Sequence, residues 1–506
     1  MRSLRIYISV IAGIMILGAC NKFLDVKPKG KLIPGEVADF DHLLDHNYIV
    51  QFTFLDNNLG SMPGYLTDNQ ELSEGIGKVA YKANNHPNID RYYAYIFRKP
   101  YNNPNVSDYF WDWGTYRAAA YFNNVINGIN SISGLSTDDD LYARKVISQA
   151  LAGRAWGYFH HTLLYGPVYK PGGNNNTRTI PYVVSADVGA PMVDLSTQEE
   201  VFTLVAQDLH AALVDAPLTT NWPSRPTKAA VQTMLAYYHL FTQKYDSVAY
   251  YANLAWTSAT ASGGAAKVLY NYNDFTWTNP ANPIASTIKA TDNFLEAANS
   301  REILLFRSTD RGAGRSSSSY PSPEFINLFD KVNDLRYQFF FLTAPGYKTT
   351  YNGTTYDDGN RVQYYRGSKT QLTCGFTYPE LLLMRAEAYA RTNKLPEAVA
   401  DLNLLRQYRY KTGTPQVGIG TQDEVISAVL DERRRELPIG GIKRLLDLKR
   451  FVLDTGKPWY KSKIVHTLGT ESFEANIDSD FFILNISNTI LQYNPQWKIP
   501  LDSRPF

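Results

Sequence analysis

The chain has 506 residues, 44% hydrophobic and 19% charged, which is enough apolar material for a substantial core and far from the composition of disordered chains. Fifty Lys and Arg stand against 48 Asp and Glu, and because the first 19 residues hold Arg2 and Arg5 but no acid, the chain from residue 20 onward is charge-balanced. Without basic blocks it lacks the phosphate-neutralising footprint of nucleic-acid binders, so no nucleic-acid partner is expected.

Arg2 and Arg5 precede an apolar run from Ile6 to Leu17, and Gly18-Ala19 lead to Cys20. This is the layout of a secretory signal, residues 1–19. As a helix the run would span about 18 Å, short of the roughly 30 Å hydrocarbon core, so it reads as an address and not a permanent span. Leu17-Gly18-Ala19-Cys20 resembles the lipobox of bacterial lipoproteins, and the resemblance implies a diacylglycerol on the Cys20 thiol; an ordinary cleaved signal followed by a chance Cys is the alternative. Several acyl chains anchor stably where one binds only marginally. Lys27-Pro28-Lys29-Gly30 then reads as a short tether, and residues 20–506 as one domain. The other cysteine, Cys374, has no partner for a disulfide once Cys20 is lipidated.

Helical spacing of Tyr116, Ala119, Tyr121 and Val125, then of Ala150, Ala155, Trp156, Phe159 and Leu163, predicts two helices ending at Gly166-Pro167. Ser196 with Glu199 predicts a capping box opening a third, and Thr227 opens a fourth. An internal repeat follows: Ala236, His239, Val248, Ala252 and Ala255 share their spacing with Ala386, Tyr389, Ala398, Leu402 and Leu405. In each copy a break falls early, at Gln243-Lys244 and Asn393-Lys394. Small residues at such offsets let antiparallel helices approach closely, the packing logic of tetratricopeptide-like hairpins; two unrelated amphipathic hairpins would share the spacing too. Residues 50–108 and 257–377 are rich in Gly, Ser, Asn, Thr and Tyr and poor in helical period, so they are expected as long loop excursions that carry function.

These stretches resemble, in order, the SusD/RagB-like nutrient-binding lipoproteins of the Bacteroidota outer membrane, the starch-utilisation-system D type. The likeness rests on Phe23-Leu24-Asp25-Val26 and Pro28; Trp113, Tyr116 and Asn123-Asn124; Arg154-Ala155 and Tyr165-Gly166-Pro167-Val168; and Asp208-Leu209 with Ala212. It continues through Pro226-Thr227-Lys228-Ala229-Ala230, Leu383 to Tyr389, Leu402-Asn403, Leu405-Arg406, Glu432 to Leu437 and Arg444 to Arg450. Two places depart from the family pattern: Gly440-Gly441 is displaced from Arg444 by Ile442, and Asp502 stands after Ile499-Pro500 where Glu is frequent. The resemblance implies a mainly α fold of about four tetratricopeptide-like hairpins with ligand loops on one face. It further implies a nutrient ligand, an oligosaccharide or polysaccharide or else a peptide, and a SusC-like TonB-dependent outer-membrane transporter as partner.

A sugar presents C–H faces and hydroxyl rims, so its site needs flat aromatic rings beside amides or carboxylates. The candidate ligand-binding residues are Tyr65, Asp68, Asn69, Tyr92 and Tyr95 in the first excursion and Tyr272, Trp277 and Tyr320 in the second, with Tyr81, Tyr93, Tyr270, Asn273 and Asp274 beside them. Any single ring can equally pack a loop onto the scaffold; it is the clustering that points to ligand. Trp156 and Trp256 fall in helical patterns and read as core. His42 and His46 share a helix face near Asp41 and Asp45 but lack a further ligand, and His160 and His161 point roughly 100° apart, so no metal site is expected. Asp138-Asp139-Asp140 suits a helix N-terminus, and the run Asp431 to Glu436 can pair internally as a solvated or bracing face. No Gly-x-Ser-x-Gly elbow, His-Glu-x-x-His helix or phosphate loop is present, so neither catalysis nor a cofactor is expected. A surface glycoside hydrolase, whose paired acids spacing alone does not reveal, is the competing class, and a pure protein-binding scaffold is the third.

Overall fold

The computed structural model describes residues 34–49, 62–84, 86, 88–106, 110–282, 286, 288–289, 300–308, 318–364, 373–437 and 442–506. The N-terminal address, Cys20, the tether and Gly440-Gly441 lie outside them. Among the described residues the protein is mainly α, with nine longer helices: α1 (Arg117–Asn130), α2 (Thr137–Tyr165), α3 (Gln198–Asp215), α4 (Lys228–Phe241), α5 (Tyr245–Thr260), α6 (Tyr378–Arg391), α7 (Leu395–Arg409), α8 (Gln422–Glu436) and α9 (Lys443–Phe451). No helix among the described residues is long and apolar enough to cross a membrane.

Local chemistry sets the helix starts. Ser136 caps α2 by accepting from the Asp139 amide, and Asp138, Asp139 and Asp140 sit in its first turn, where the helix dipole favours acids. The capping box of α3 falls one residue later than the spacing suggests: Thr197 is the cap and Glu200 the reciprocal partner, while Ser196 pairs with Ile180 in a short ladder. Thr227 caps α4 as expected.

The repeat is present as two hairpins. Helices α4 and α5 turn through Thr242-Gln243-Lys244, and α6 and α7 through Thr392-Asn393-Lys394; Gln243 and Asn393 both take left-handed backbone, with φ of 53° and 60°. The amides of Lys244 and Lys394 close both turns on the carbonyls of His239 and Tyr389, at 3.1 and 2.8 Å. Ala236, Ala252, Ala255 and Ala386 are fully buried, and α6 packs against α5, α7 and α8. Elsewhere glycine supplies the close approach: a Cβ at Gly153 of α2 would lie 2.3 Å from the Phe122 ring of α1. Filling such a site typically costs 1–3 kcal/mol.

The excursions are only partly irregular. Among the described residues the second carries four antiparallel pairs: Phe341–Pro345 with Asn360–Tyr364, Lys348–Tyr351 with Thr354–Asp357, Thr276–Trp277 with Ile288–Lys289, and Ile303–Leu305 with Phe376–Thr377. The two excursions also join, Gln70–Leu72 pairing with Ser319–Pro321. Beside the main core, Tyr270, Tyr272, Phe275, Ile288, Phe325, Phe329, Phe340 and Phe341 form a separate hydrophobic cluster under the second excursion.

The run Asp431 to Glu436 braces the scaffold and is largely buried. Glu432 is shared by Arg336, Arg406 and Arg435 at 2.5, 3.3 and 2.7 Å. Arg433 binds Asp447 and Glu380, and Arg434 reaches Glu324 and Asn69. One turn of α8 thereby ties α6, α9 and both excursions together.

Candidate ligand-binding cleft

The structure turns most of the expected rings inward. Tyr65 has no exposed surface, and Tyr92 and Tyr95 are buried with it. The Tyr95 hydroxyl donates to the Thr467 carbonyl at 3.0 Å, and its ring stacks on His466 with centroids 4.2 Å apart and planes 2° from parallel. His466 in turn bridges two carbonyls, Tyr95 at 2.7 Å and Thr67 at 2.8 Å. Burial lowers its pKa, and those two carbonyls pull the other way.

Asp68 and Asn69 are likewise committed to the protein. Arg444 grips Asp68 with two bonds of 2.7 Å, Lys461 adds a third at 2.5 Å, and Arg434 donates to Asn69 at 2.7 Å. Burial pushes the Asp68 carboxyl up, but Arg444, Arg434 and Lys461 outweigh it and hold it well below the usual carboxylate range. In the second excursion Tyr320 is buried, donating to Asp358 at 2.7 Å and accepting from the Tyr347 amide at 2.9 Å. Tyr272 is buried with its ring 4.0 Å under the Arg409 guanidinium. Trp277 alone of the eight is half-buried, on a two-residue strand beside Phe339. In this conformation the other seven are buried, and the polar atoms of Asp68, Asn69, Tyr95 and Tyr320 find partners inside the protein. Trp156 and Trp256 are core, as read. His42 and His46 are exposed, with His46 stacked on Tyr121, and no group of three metal-ligating side chains occurs among the described residues.

An open cleft lies next to the second cluster. The segment Tyr270 to Phe275 and Arg301 form one wall, and Gln407 and Tyr408 in the last turn of α7 form the other, enclosing about 400 Å³. A second hollow of about 330 Å³ continues from Gln407 past Tyr410 to Gln416. Both fall in the size range of small-molecule sites, and they adjoin at Gln407. Asp274 and Gln407 are exposed, and among the described residues their side chains form no intramolecular hydrogen bond. Tyr408 adds a half-buried ring to the same lining.

The groove is held from beneath. Arg409, fully buried, donates to the Tyr270 carbonyl at 2.8 Å, to Glu302 at 2.7 Å and to Glu436 at 2.8 Å. Glu302 also accepts from the Tyr270 amide at 2.8 Å, so one ion pair fixes both backbone groups of the residue that starts the wall. Burial raises the pKa of Glu302 despite Arg409, whereas at Glu436 Arg409 and Arg336 outweigh burial and lower it. Asn273 clamps the far wall, donating to the Tyr410 carbonyl at 2.9 Å and accepting from the Thr412 amide at 3.1 Å. Asn403 holds both backbone groups of Val417. A frame fixed in this way lets ligand bind without first ordering the walls.

Of the cleft residues, Tyr270 and Asp274 belong to the cluster read from the sequence; Asn271, Arg301, Gln407, Tyr408 and Lys411 were not singled out. A signal existed for Gln407 and Tyr408. With Leu402 and Leu405 facing the core, helical periodicity turns an amide and a ring outward in the same last turn.

The comparisons with known proteins agree with this architecture. A profile described as starch-binding associating with outer membrane matches residues 22–240, and the SusD family profile matches residues 355–481. The chain belongs to the SusD family. Among solved structures it is similar to a SusD superfamily protein from Bacteroides thetaiotaomicron, with 18% identity over 91% of this chain and 98% of that one and a TM-score of 0.65. A SusD-like carbohydrate binding protein from Bacteroides vulgatus is 16% identical over 91% and 97%, with a TM-score of 0.60. A SusD superfamily protein from Bacteroides fragilis is 16% identical over 92% and 99%, with a TM-score of 0.62. At these identities the likeness establishes the fold. No curated protein matches the chain.

Proposed function

We propose that residues 20–506 form one outer-membrane lipoprotein domain, acylated on Cys20 and facing outward. It holds an oligosaccharide in the cleft without chemistry and passes it to a SusC-like TonB-dependent transporter. The observation that carries the binding is one cleft lined by the half-exposed Tyr408 ring and the uncommitted Asp274 and Gln407, with a wall locked by Arg409. Sugars are recognised by that combination of a flat ring and side-chain acceptors and donors, and a site with internally satisfied polar groups has nothing left to offer. Trp277 supplies a further half-exposed ring on the same loop. The family description, starch-binding and associating with the outer membrane, supports both ligand and location. The carbohydrate-binding member from Bacteroides vulgatus supports the ligand.

A glycan array and affinity gels with the chain lacking residues 1–20 test this reading. Retention of a polysaccharide without cleavage is the expected result. Released sugars would favour a hydrolase. Retention of neither sugar nor product, with a peptide bound instead, would move the ligand to the peptide class.

A further inference from the structure

The two halves of the groove differ in charge. In the half walled by Tyr270 and Phe275 the lining carries one cation, Arg301, and one carboxylate, Asp274. The half that runs from Asn403 to Gln416 is lined by two cations, Arg406 and Lys411, and by no carboxylate. Its remaining polar lining is amide and hydroxyl, in Gln407, Thr412 and Gln416 among others.

Neither cation is fully spent within the protein. The Arg406 guanidinium lies 3.9 Å over the Tyr410 ring, which fixes its position. Its one carboxylate partner, Glu432 at 3.3 Å, serves Arg336 and Arg435 at shorter distances, 2.5 and 2.7 Å. The Arg406 Nε is buried, but the side chain keeps 17% of its surface exposed, and among the described residues Nη2 makes no hydrogen bond. Lys411 is exposed and forms no ion pair among the described residues, yet its backbone is fixed. Its amide donates to the Asn333 carbonyl at 2.9 Å, and its own carbonyl accepts from the Thr414 hydroxyl at 2.7 Å. A cation on a fixed backbone, in a hollow whose lining carries no carboxylate, attracts an anion and gains little from a neutral hydroxyl.

We propose that this half of the groove is a subsite for a sugar residue bearing an anionic group, a carboxylate or a sulfate ester, while the Tyr408 and Asp274 half takes a neutral residue. The assignment rests on the oligosaccharide reading above and narrows its substrate class to acidic glycans. Lys411 supplies the mobile contact and Arg406 the fixed one. Because the subsite is open to solvent, salt screens its preference.

Calorimetric titration of the chain from residue 21 with two matched pairs tests it. One pair is an oligogalacturonide and its methyl ester; the other is a sulfated carrageenan oligosaccharide and its desulfated counterpart, so that the arms separate carboxylate from sulfate. The expected result is that the charged member of one pair binds about tenfold tighter than its neutral partner at low salt. Lys411→Gln, an exposed change that leaves the fold alone, is expected to remove that preference. Equal binding of both members of each pair, or a preference that persists in K411Q, would overturn the subsite while leaving oligosaccharide binding in place. Failure to bind any sugar, charged or neutral, would overturn both.

Discussion

Two loop regions of this protein are equally rich in Tyr, Asn and Asp and use them in opposite ways. Around residues 62–97 the rings of Tyr65, Tyr92 and Tyr95 are buried, and Asp68 and Asn69 are consumed by Arg434, Arg444 and Lys461. Around residues 270–275 and 403–416 the buried layer, Glu302, Arg409 and Glu436, is just as fully paired, but a second layer above it stays uncommitted. Composition marks residues 62–97 and 270–275 alike as candidate ligand regions. What separates them is where hydrogen-bonding capacity is left over once the fold is satisfied, and that is a property of the three-dimensional pairing.

The contrast can be broken most strongly from the closed side. Asp68→Ala strands the largely buried Arg444 guanidinium, and Tyr272→Ala removes a buried ring from under Arg409. Each is expected to cost about 3–5 kcal/mol in chemical denaturation. If either proves nearly neutral, that region is not the closed bracing layer described. Acid should act in the same direction. Burial brings His160 and His161 in α2 down to about 3, so below their unfolded pKa of about 6.5 the unfolded chain takes protons that the native protein refuses. Stability is present above that pH and falls as pH drops from 6.5 toward 3, by up to about 1.4 kcal/mol per unit for each histidine. Glu387, which Arg450 and Arg391 hold at about 2 against burial, adds a loss of the same sign at the acid end. Unfolding midpoints that stay flat from pH 7 to 5 would contradict the buried neutral histidines.

On the open side the effects invert. Tyr408→Ala is expected to weaken oligosaccharide binding roughly threefold to tenfold, the worth of a stacking face, at a cost of about 1 kcal/mol in stability because part of the ring packs on the core. Asp274→Ala, at an exposed and unpaired carboxylate, is expected to shift stability by no more than about 0.5 kcal/mol while still lowering affinity. A large loss of stability from either would place these residues in the bracing layer and erase the difference between the regions.

Much of the scaffold was legible because short-range rules govern it. The shared offsets of Ala236 and Ala386 identify the hairpins, and their matching turns at Gln243 and Asn393 show that the repeat extends to backbone conformation. Ser136 and Thr227 cap where local chemistry places them, while the shift from Ser196 to Thr197 reflects a strand pairing with Ile180 that no local rule supplies. The site was less legible. Asp68 meets Arg444 and Tyr95 meets His466 across several hundred residues, so the sequence shows a polar aromatic loop but not that its partners lie inside the protein. Gln407 and Tyr408 were hidden for the opposite reason: on a helix in a recognised repeat they look like ordinary surface, and only the placement of the 270–275 loop opposite them makes a cleft.

The most direct measurement is a crystal structure of the protein with a retained oligosaccharide bound. A sugar ring lying on Tyr408, hydrogen-bonded to Asp274 and Gln407, is the predicted result. Sugar seated instead against residues 62–97, with Tyr65 or Tyr95 swung out to meet it and the 270–275 groove empty, would contradict it.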